Sequence, residues 1–207
     1  MSFRTEQESF WAGNFGDDYI NRNQGAGLLA SNLNFFSKSL RNAHGIQSCI
    51  EFGANIGMNL KAIQLLYPEI DSHALEINST AVSQLEEVIP ASNISNISIL
   101  DFSPSRTWDL TLIKGVLIHI DPRVLPIVYD KLYAACGRYL LLAEYYNPVP
   151  VSIPYRGHSN RLFKRDFAGE IMERYPLLEL VDYGFVYRRD PNFPQDDINW
   201  FLFKKSL

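Results

Sequence analysis

The stretch Cys49-Ile50-Glu51-Phe52-Gly53-Ala54-Asn55-Ile56-Gly57 limits the fold more than any other part of the chain. A short apolar run that closes on a glycine-bearing turn and continues into an amphipathic segment is the pattern of a buried strand passing directly into a helix. The same rhythm then recurs. Strands are predicted over 48–52, 71–77, 96–100, 110–114 and 139–145, and helices over 57–67, 80–88 and 124–135. Such alternation predicts an α/β fold with a mostly parallel sheet covered on both faces. Further on, 167–175 reads as a helix, and 178–187 and 199–204 as strands joined by an irregular loop. No crossover helix fits between those two strands, so the sheet should reach seven strands through a C-terminal antiparallel hairpin. Residues 6–41 read as helical, with Phe10, Trp11, Phe15, Tyr19, Leu28, Leu29, Leu33, Phe35 and Phe36 at helix-like intervals broken around Gly13, Gly16 and Gly25. With no repeat and no linker, the chain parses as one domain over 1–207: a helical segment, 1–45, and an α/β core, 46–207.

Composition narrows the partners. At 207 residues the core needs no disulfide or metal, and Cys49 and Cys136 fall in or beside predicted strands as core thiols. A net charge of -4 gives no broad positive field, which argues against nucleic acid and for a small-molecule partner. The sequence shows neither a membrane-length apolar run nor a basic-then-apolar leader, so a cytoplasmic location is expected. His44, His73, His119 and His158 lack zinc-like spacing and no acidic cluster suits magnesium, so metal-free chemistry is expected.

The glycine turn can be tested against two templates. A G-x-G-x-x-G dinucleotide fingerprint from Gly53 would place glycines where Asn55 and Met58 stand, so it fails at two of three positions. The pattern acid-x-G-x-G-x-G from Glu51 is met at Glu51, Gly53 and Gly57, with Asn55 in the middle; asparagine tolerates a left-handed backbone best among non-glycine residues. Glu76 closes the next apolar run at the distance expected of a ribose-binding acid, beside Ile77. Leu100-Asp101-Phe102 and then 108–120, including Lys114 and Val116-Leu117-Ile118-His119-Ile120, follow in order. Read singly, the turn is also consistent with a plain strand–helix connection, and Asp101 with a turn or cap residue.

Together these segments resemble the class I S-adenosylmethionine (SAM) dependent methyltransferases. The resemblance implies a Rossmann-like fold, SAM as cofactor and S-adenosylhomocysteine (SAH) as product. It also implies Glu51 and the Gly53–Gly57 loop near the methionine end, Glu76 on the ribose, Asp101 on the adenine amino group and Phe102 against the ring. The segments 10–23, 114–120, 143–148, 154–158, 162–167 and 190–197 further resemble the pseudaminic acid biosynthesis-associated methylases, over nearly the whole chain. That likeness implies an acceptor among nonulosonic acids, the acidic nine-carbon sugars, or their nucleotide-activated forms, in surface glycan biosynthesis.

Methyl transfer to a hydroxyl needs a base at the carboxyl ends of the strands. His119 and Glu144 are the candidates, with Tyr146 beside them; His119 can equally pack beneath the cofactor, and Glu144 can be a solvated strand end. Tyr145 and Asn147 are expected to face the acceptor. Arg156, His158, Lys164 and Arg165 form a basic loop suited to a carboxylate or phosphate, or serve solubility alone. Trp11, Tyr19 and Arg22 belong either to a lid over the cofactor or to a helix covering the sheet. A non-catalytic SAM-binding protein of the same fold is the second reading.

Overall fold

The computed structural model describes residues 3–206. Three helices come first, α1 (Glu6–Ala12), α2 (Asn14–Ile20) and α3 (Ala26–Ser39), as the broken helical run predicts. Thr5 and Glu8 form a capping box that starts α1, each side chain bonding the other's backbone N–H. The chain then breaks at Gly13 and again at Gly25, where φ is 104°. Gly16 causes no break and lies inside α2.

The core runs β1 (Ser48–Phe52), α4 (Met58–Leu66), β2 (Asp71–Leu75), α5 (Ser79–Leu85), β3 (Ile94–Ser95), β4 (Trp108–Lys114), α6 (Leu125–Ala135) and β5 (Cys136–Glu144). After these come β6 (Val151–Tyr155), β7 (His158–Lys164), α7 (Phe167–Arg174), β8 (Leu178–Val186) and β9 (Ile198–Lys205). Seven strands form one sheet in the order β3-β2-β1-β4-β5-β9-β8. The first five pair in parallel, β9 runs against β5, and β8 against β9, so six strands point one way and the expected hairpin closes the sheet.

The buried strands are apolar on both faces because helices cover both. Along β5, Leu140 and Leu142 join Val128, Leu132, Phe167 and Ile171 on one side. Tyr139, Leu141 and Ala143 join Phe35, Phe36, Leu60 and Ile63 on the other. This period-two division fixes strand register, since a one-residue slip would exchange the two cores.

Two expectations need correction. The third strand is only Ile94–Ser95, so residues 96–100 form a turn beyond the sheet. The basic loop after β5 is an antiparallel hairpin, β6 with β7, standing apart from the main sheet. Among the described residues no helix is long and apolar enough to cross a membrane.

Candidate functional site

A cavity of about 200 Å³ opens where the chain leaves β1, β2 and β4, the end at which parallel α/β sheets collect ligands. Its floor is the turn after β1. Gly53, Asn55 and Gly57 have φ of 78°, 49° and 79°, a left-handed series that glycine and asparagine adopt most readily. Side chains there would also collide: a Cβ on Gly53 would lie 2.7 Å from Val116 and one on Gly57 2.7 Å from Leu85. Gly57 itself lies just behind the wall, as the N-cap of α4.

Glu76 lies at the tip of β2 and lines this cavity. Its Oε2 accepts the Asn55 N–H at 2.7 Å and its Oε1 the Asn78 N–H at 2.8 Å, so one carboxylate ties two strand tips together. Burial raises its pKa, against the opposing pull of those N–H groups and that of Ile77, which also lines the cavity. Asn78 caps α5 through Ala81 N–H at 2.9 Å and donates to Asp17 at 2.9 Å and to the Trp11 carbonyl at 3.3 Å, which fastens α1 and α2 across the opening.

Glu51 is fully buried behind the wall. Its Oε1 accepts from Asn59 at 2.6 Å, and its Oε2 has no partner among the described residues. Burial pushes its pKa up to about 8, against the Asn59 hydrogen bond and the charge of Lys114. Lys114 does line the cavity; desolvation lowers its pKa while Glu51, Asp196 and Glu144 raise it. The buried indole N–H of Trp11, on the cavity wall, likewise lacks an acceptor among the described residues. Glu76 as acceptor, Lys114 as cation and Trp11 as free donor suit a ligand with hydroxyl and carboxylate groups.

His119 lines the same cavity, sandwiched 4.6 Å from the Trp11 ring and 5.0 Å from that of Tyr155. Its Nδ1 lies 2.6 Å from the Arg161 carbonyl, which can only accept, so Nδ1 carries the proton and Nε2 keeps its lone pair. Burial lowers its pKa to about 4, outweighing that carbonyl.

Glu144 is not arranged as a base. It is buried off the cavity, accepting the N–H groups of Val116 and Leu117 at 2.9 Å each and of Ile118 at 3.4 Å. These donors begin the short 3-10 turn Leu117–His119, so the carboxylate holds the turn that presents His119. Burial nonetheless raises its pKa to about 7. Glu144→Ala would leave three N–H groups unpaired, at roughly 1–3 kcal/mol for each one that stays buried. We expect a drop in thermal stability and in turnover at little change in cofactor affinity, measured by melting, kinetics and titration.

Other expected residues fall outside the cavity. Asp101 is exposed and paired with Arg4, because the short third strand puts residues 97–100 at the wall instead. Phe102 is buried against Phe52 in the core, its ring centroid 5.6 Å away. Arg22 lies over the rings of Phe15 and Tyr19, at 5.5 and 5.7 Å, and of these three Tyr19 alone lines the cavity. Tyr146 is exposed, and Asn147 donates to the Val149 carbonyl at 2.5 Å. Arg165 is committed to Glu170, which also accepts from Tyr129 at 2.7 Å.

Tyr145, Lys164, Arg156 and His158 do not line the cavity either, and Tyr145 instead lines a small pocket beside Glu144, Tyr146 and Arg165. Lys164 lies 5.0 Å from the Tyr145 ring, and burial with neighbouring Asp196 pushes the Tyr145 pKa upward. Arg156 holds a left-handed φ of 49° at the tip of the β6–β7 hairpin, and His158 packs edge-on to Phe10 at 5.0 Å. Burial raises the Tyr19 pKa, together with Tyr155 and Asp196 and against the opposing charges of Arg22 and Arg156.

Glu8, Gln7, Asn32 and Ser98 line the cavity without having been expected there. Of these, only Glu8 carried a signal, the Thr-x-x-Glu capping box at the start of α1.

The sequence matches no protein-family model and no curated protein. Its likeness to known proteins is structural. Magnesium protoporphyrin IX methyltransferase from Synechocystis, solved with bound SAM, superposes with a TM-score of 0.68 over 100% of both chains at 13% identity. This chain has the fold of SAM-dependent methyltransferases. The 1,6-didemethyltoxoflavin-N1-methyltransferase of Burkholderia thailandensis, solved with its substrate and SAH, gives 0.70 at 13% identity, covering 97% of this chain and 87% of that one. The sugar N-methyltransferase KedS8 from Streptoalloteichus gives 0.66 at 11% identity, over 95% and 94%. At such identities the likeness is one of fold, shared by enzymes with unlike small-molecule substrates.

Proposed function

We propose that this protein is a SAM-dependent methyltransferase for a small acidic acceptor, most simply an O-methyltransferase of a nonulosonic acid or its nucleotide-activated form, working in the cytoplasm. The observation that carries the cofactor reading is Glu76, a carboxylate whose two oxygens bridge the tips of β1 and β2 on the cavity wall. In this reading Glu76 accepts from the ribose hydroxyls, the Gly53–Gly57 turn passes under the methionine portion, and Lys114 and the Trp11 indole N–H meet its carboxylate. Helices α1 and α2, tied to Asn78 at the cavity, act as the lid. When bound, SAM supplies a methyl group on a sulfonium sulfur.

The chain's own residues hold the acceptor in line, exclude water and take one proton. His119 would take the proton of the acceptor hydroxyl at Nε2 as the acceptor oxygen bonds the methyl carbon and the carbon–sulfur bond breaks, releasing SAH. Arg156, at the tip of the β6–β7 hairpin, would meet an anionic group of the acceptor. The sugar class rests on the sequence resemblance at both ends of the chain, and the neighbours that methylate sugars and other small molecules support small-molecule methylation.

Calorimetric titration with SAM and SAH tests the cofactor. Formation of SAH in the presence of free and nucleotide-activated nonulosonic acids tests the reaction; binding without turnover on any of them would favour the non-catalytic reading. Arg156→Ala should raise the acceptor KM about tenfold or more while leaving that for SAM within about twofold, as expected for one lost charge-assisted hydrogen bond. An unchanged acceptor KM would take Arg156 out of the site.

A further inference from the structure

The cavity wall formed by residues 97–100 faces α1, and the polar groups meeting there are Glu8 and Ser98. Glu8 is buried, 7% exposed, and its acceptor positions are nearly all assigned. Oε2 takes the Arg4 and Thr5 N–H groups at 2.8 Å each and the Thr5 hydroxyl at 3.2 Å. Oε1 takes the Ser98 hydroxyl. Ser98 Oγ in turn accepts the Leu100 N–H at 3.0 Å, so its own proton is committed to Glu8. What this corner still offers a ligand is acceptor capacity on Oε1, set between the apolar side chains of Ile97, Ile99, Ile120 and Val124. A flat apolar ring bearing an exocyclic N–H donor fills such a corner; a ring bearing a carbonyl there would set oxygen against carboxylate.

We propose that Glu8, carried on the N-terminal helix and oriented by Ser98, reads the 6-amino group of the cofactor's adenine. Asp101, to which the sequence assigned that task, is turned to the surface by Arg4. The inference rests on the SAM reading and adds that base selection is delivered by α1, some 90 residues upstream of the wall it completes.

The test compares binding of SAH with that of S-inosylhomocysteine, in which a 6-oxo group replaces the amino group. The wild-type protein should prefer SAH by roughly tenfold or more, the scale of one charge-assisted hydrogen bond. Glu8→Gln keeps the capping box, since glutamine serves at that position, and its amide can donate to a 6-oxo group. The preference should therefore fall to near unity or invert, with the melting temperature as a check on folding. Asp101→Asn should keep the wild-type ratio and provides a second measurement should Glu8→Gln fold poorly. A wild-type protein that binds both ligands equally, a Glu8→Gln ratio unchanged from wild type, or a ratio lost in Asp101→Asn would each overturn the assignment while leaving the methyltransferase reading intact. Failure of the wild-type protein to bind SAH at all would remove both.

Discussion

Replacing Glu76 by alanine should weaken SAH binding by about 100-fold or more, the largest loss of affinity expected from any single side chain in the cavity. Hydrogen bonds to a charged acceptor contribute roughly 1.5–3 kcal/mol each, and two ribose hydroxyls at about 1.4 kcal/mol per tenfold give at least two orders of magnitude. A second cost adds to this. The same carboxylate holds the N–H groups of Asn55 and Asn78, so its removal also loosens the left-handed turn and the cap of α5. The two contributions separate with a 2′-deoxy analogue of SAH. Wild type should bind it about tenfold more weakly than SAH, whereas Glu76→Ala should scarcely distinguish the two. A variant that binds SAH weakly but still penalises the missing hydroxyl would assign Glu76 to shaping the turn and not to the ribose.

The parts of this fold written most plainly in the chain are those whose burial forces a periodic pattern. Strands β1, β4 and β5 are covered on both faces, so they appear as mostly apolar runs, and the turn after β1 announces itself because positive φ selects glycine and asparagine. Elements with little buried face left a weaker trace. Strands β6 and β7 bury only Leu162 and Phe163 and include Pro154, so they read as a loop. The third strand is two residues long, and the apolar positions Ile97, Ile99 and Leu100, which drew the expected strand onward, serve the cavity wall.

Site residues divide along the same line. The place of Glu76 was legible because it closes the apolar run of β2, one strand on from the glycine turn. The cavity-side partner of Glu8, Ser98, and all the partners of Glu144, on the turn after β4, lie on other elements. Nothing in a local window distinguishes a carboxylate that takes a proton from one that accepts three backbone N–H groups. The distinction exists only once β4 and β5 are paired, with Lys114 opposite Ala143 and the turn laid against the next residue.

His119→Asn should lower turnover by about 100- to 10,000-fold while leaving the SAH dissociation constant within a few-fold, the pattern of a lost base. Asparagine retains an N–H for the Arg161 carbonyl but has no basic nitrogen, so the change isolates proton acceptance from the hydrogen bond. The pH profile carries an independent signature. Desolvation sets the folded His119 pKa at about 4, so the ring is neutral and able to accept through the whole neutral range. Turnover limited by this group should rise as pH climbs through about 4 and then level off. Stability should follow the same group with a definite sign. An unfolded histidine titrates near 6.5, so between about 4 and 6.5 the unfolded chain binds more protons and stability increases with pH. That contribution is complete above about 6.5 and disappears as pH falls through the folded value, and His119→Asn should flatten this part of the curve. If the histidine only packed between Trp11 and Tyr155, at 4.6 and 5.0 Å, the substitution would disturb SAH affinity and melting together and spare turnover at saturating substrates. Loss of turnover with affinity preserved separates the two roles, because packing acts on the bound state and its transition state alike, whereas a proton acceptor acts on the transition state alone.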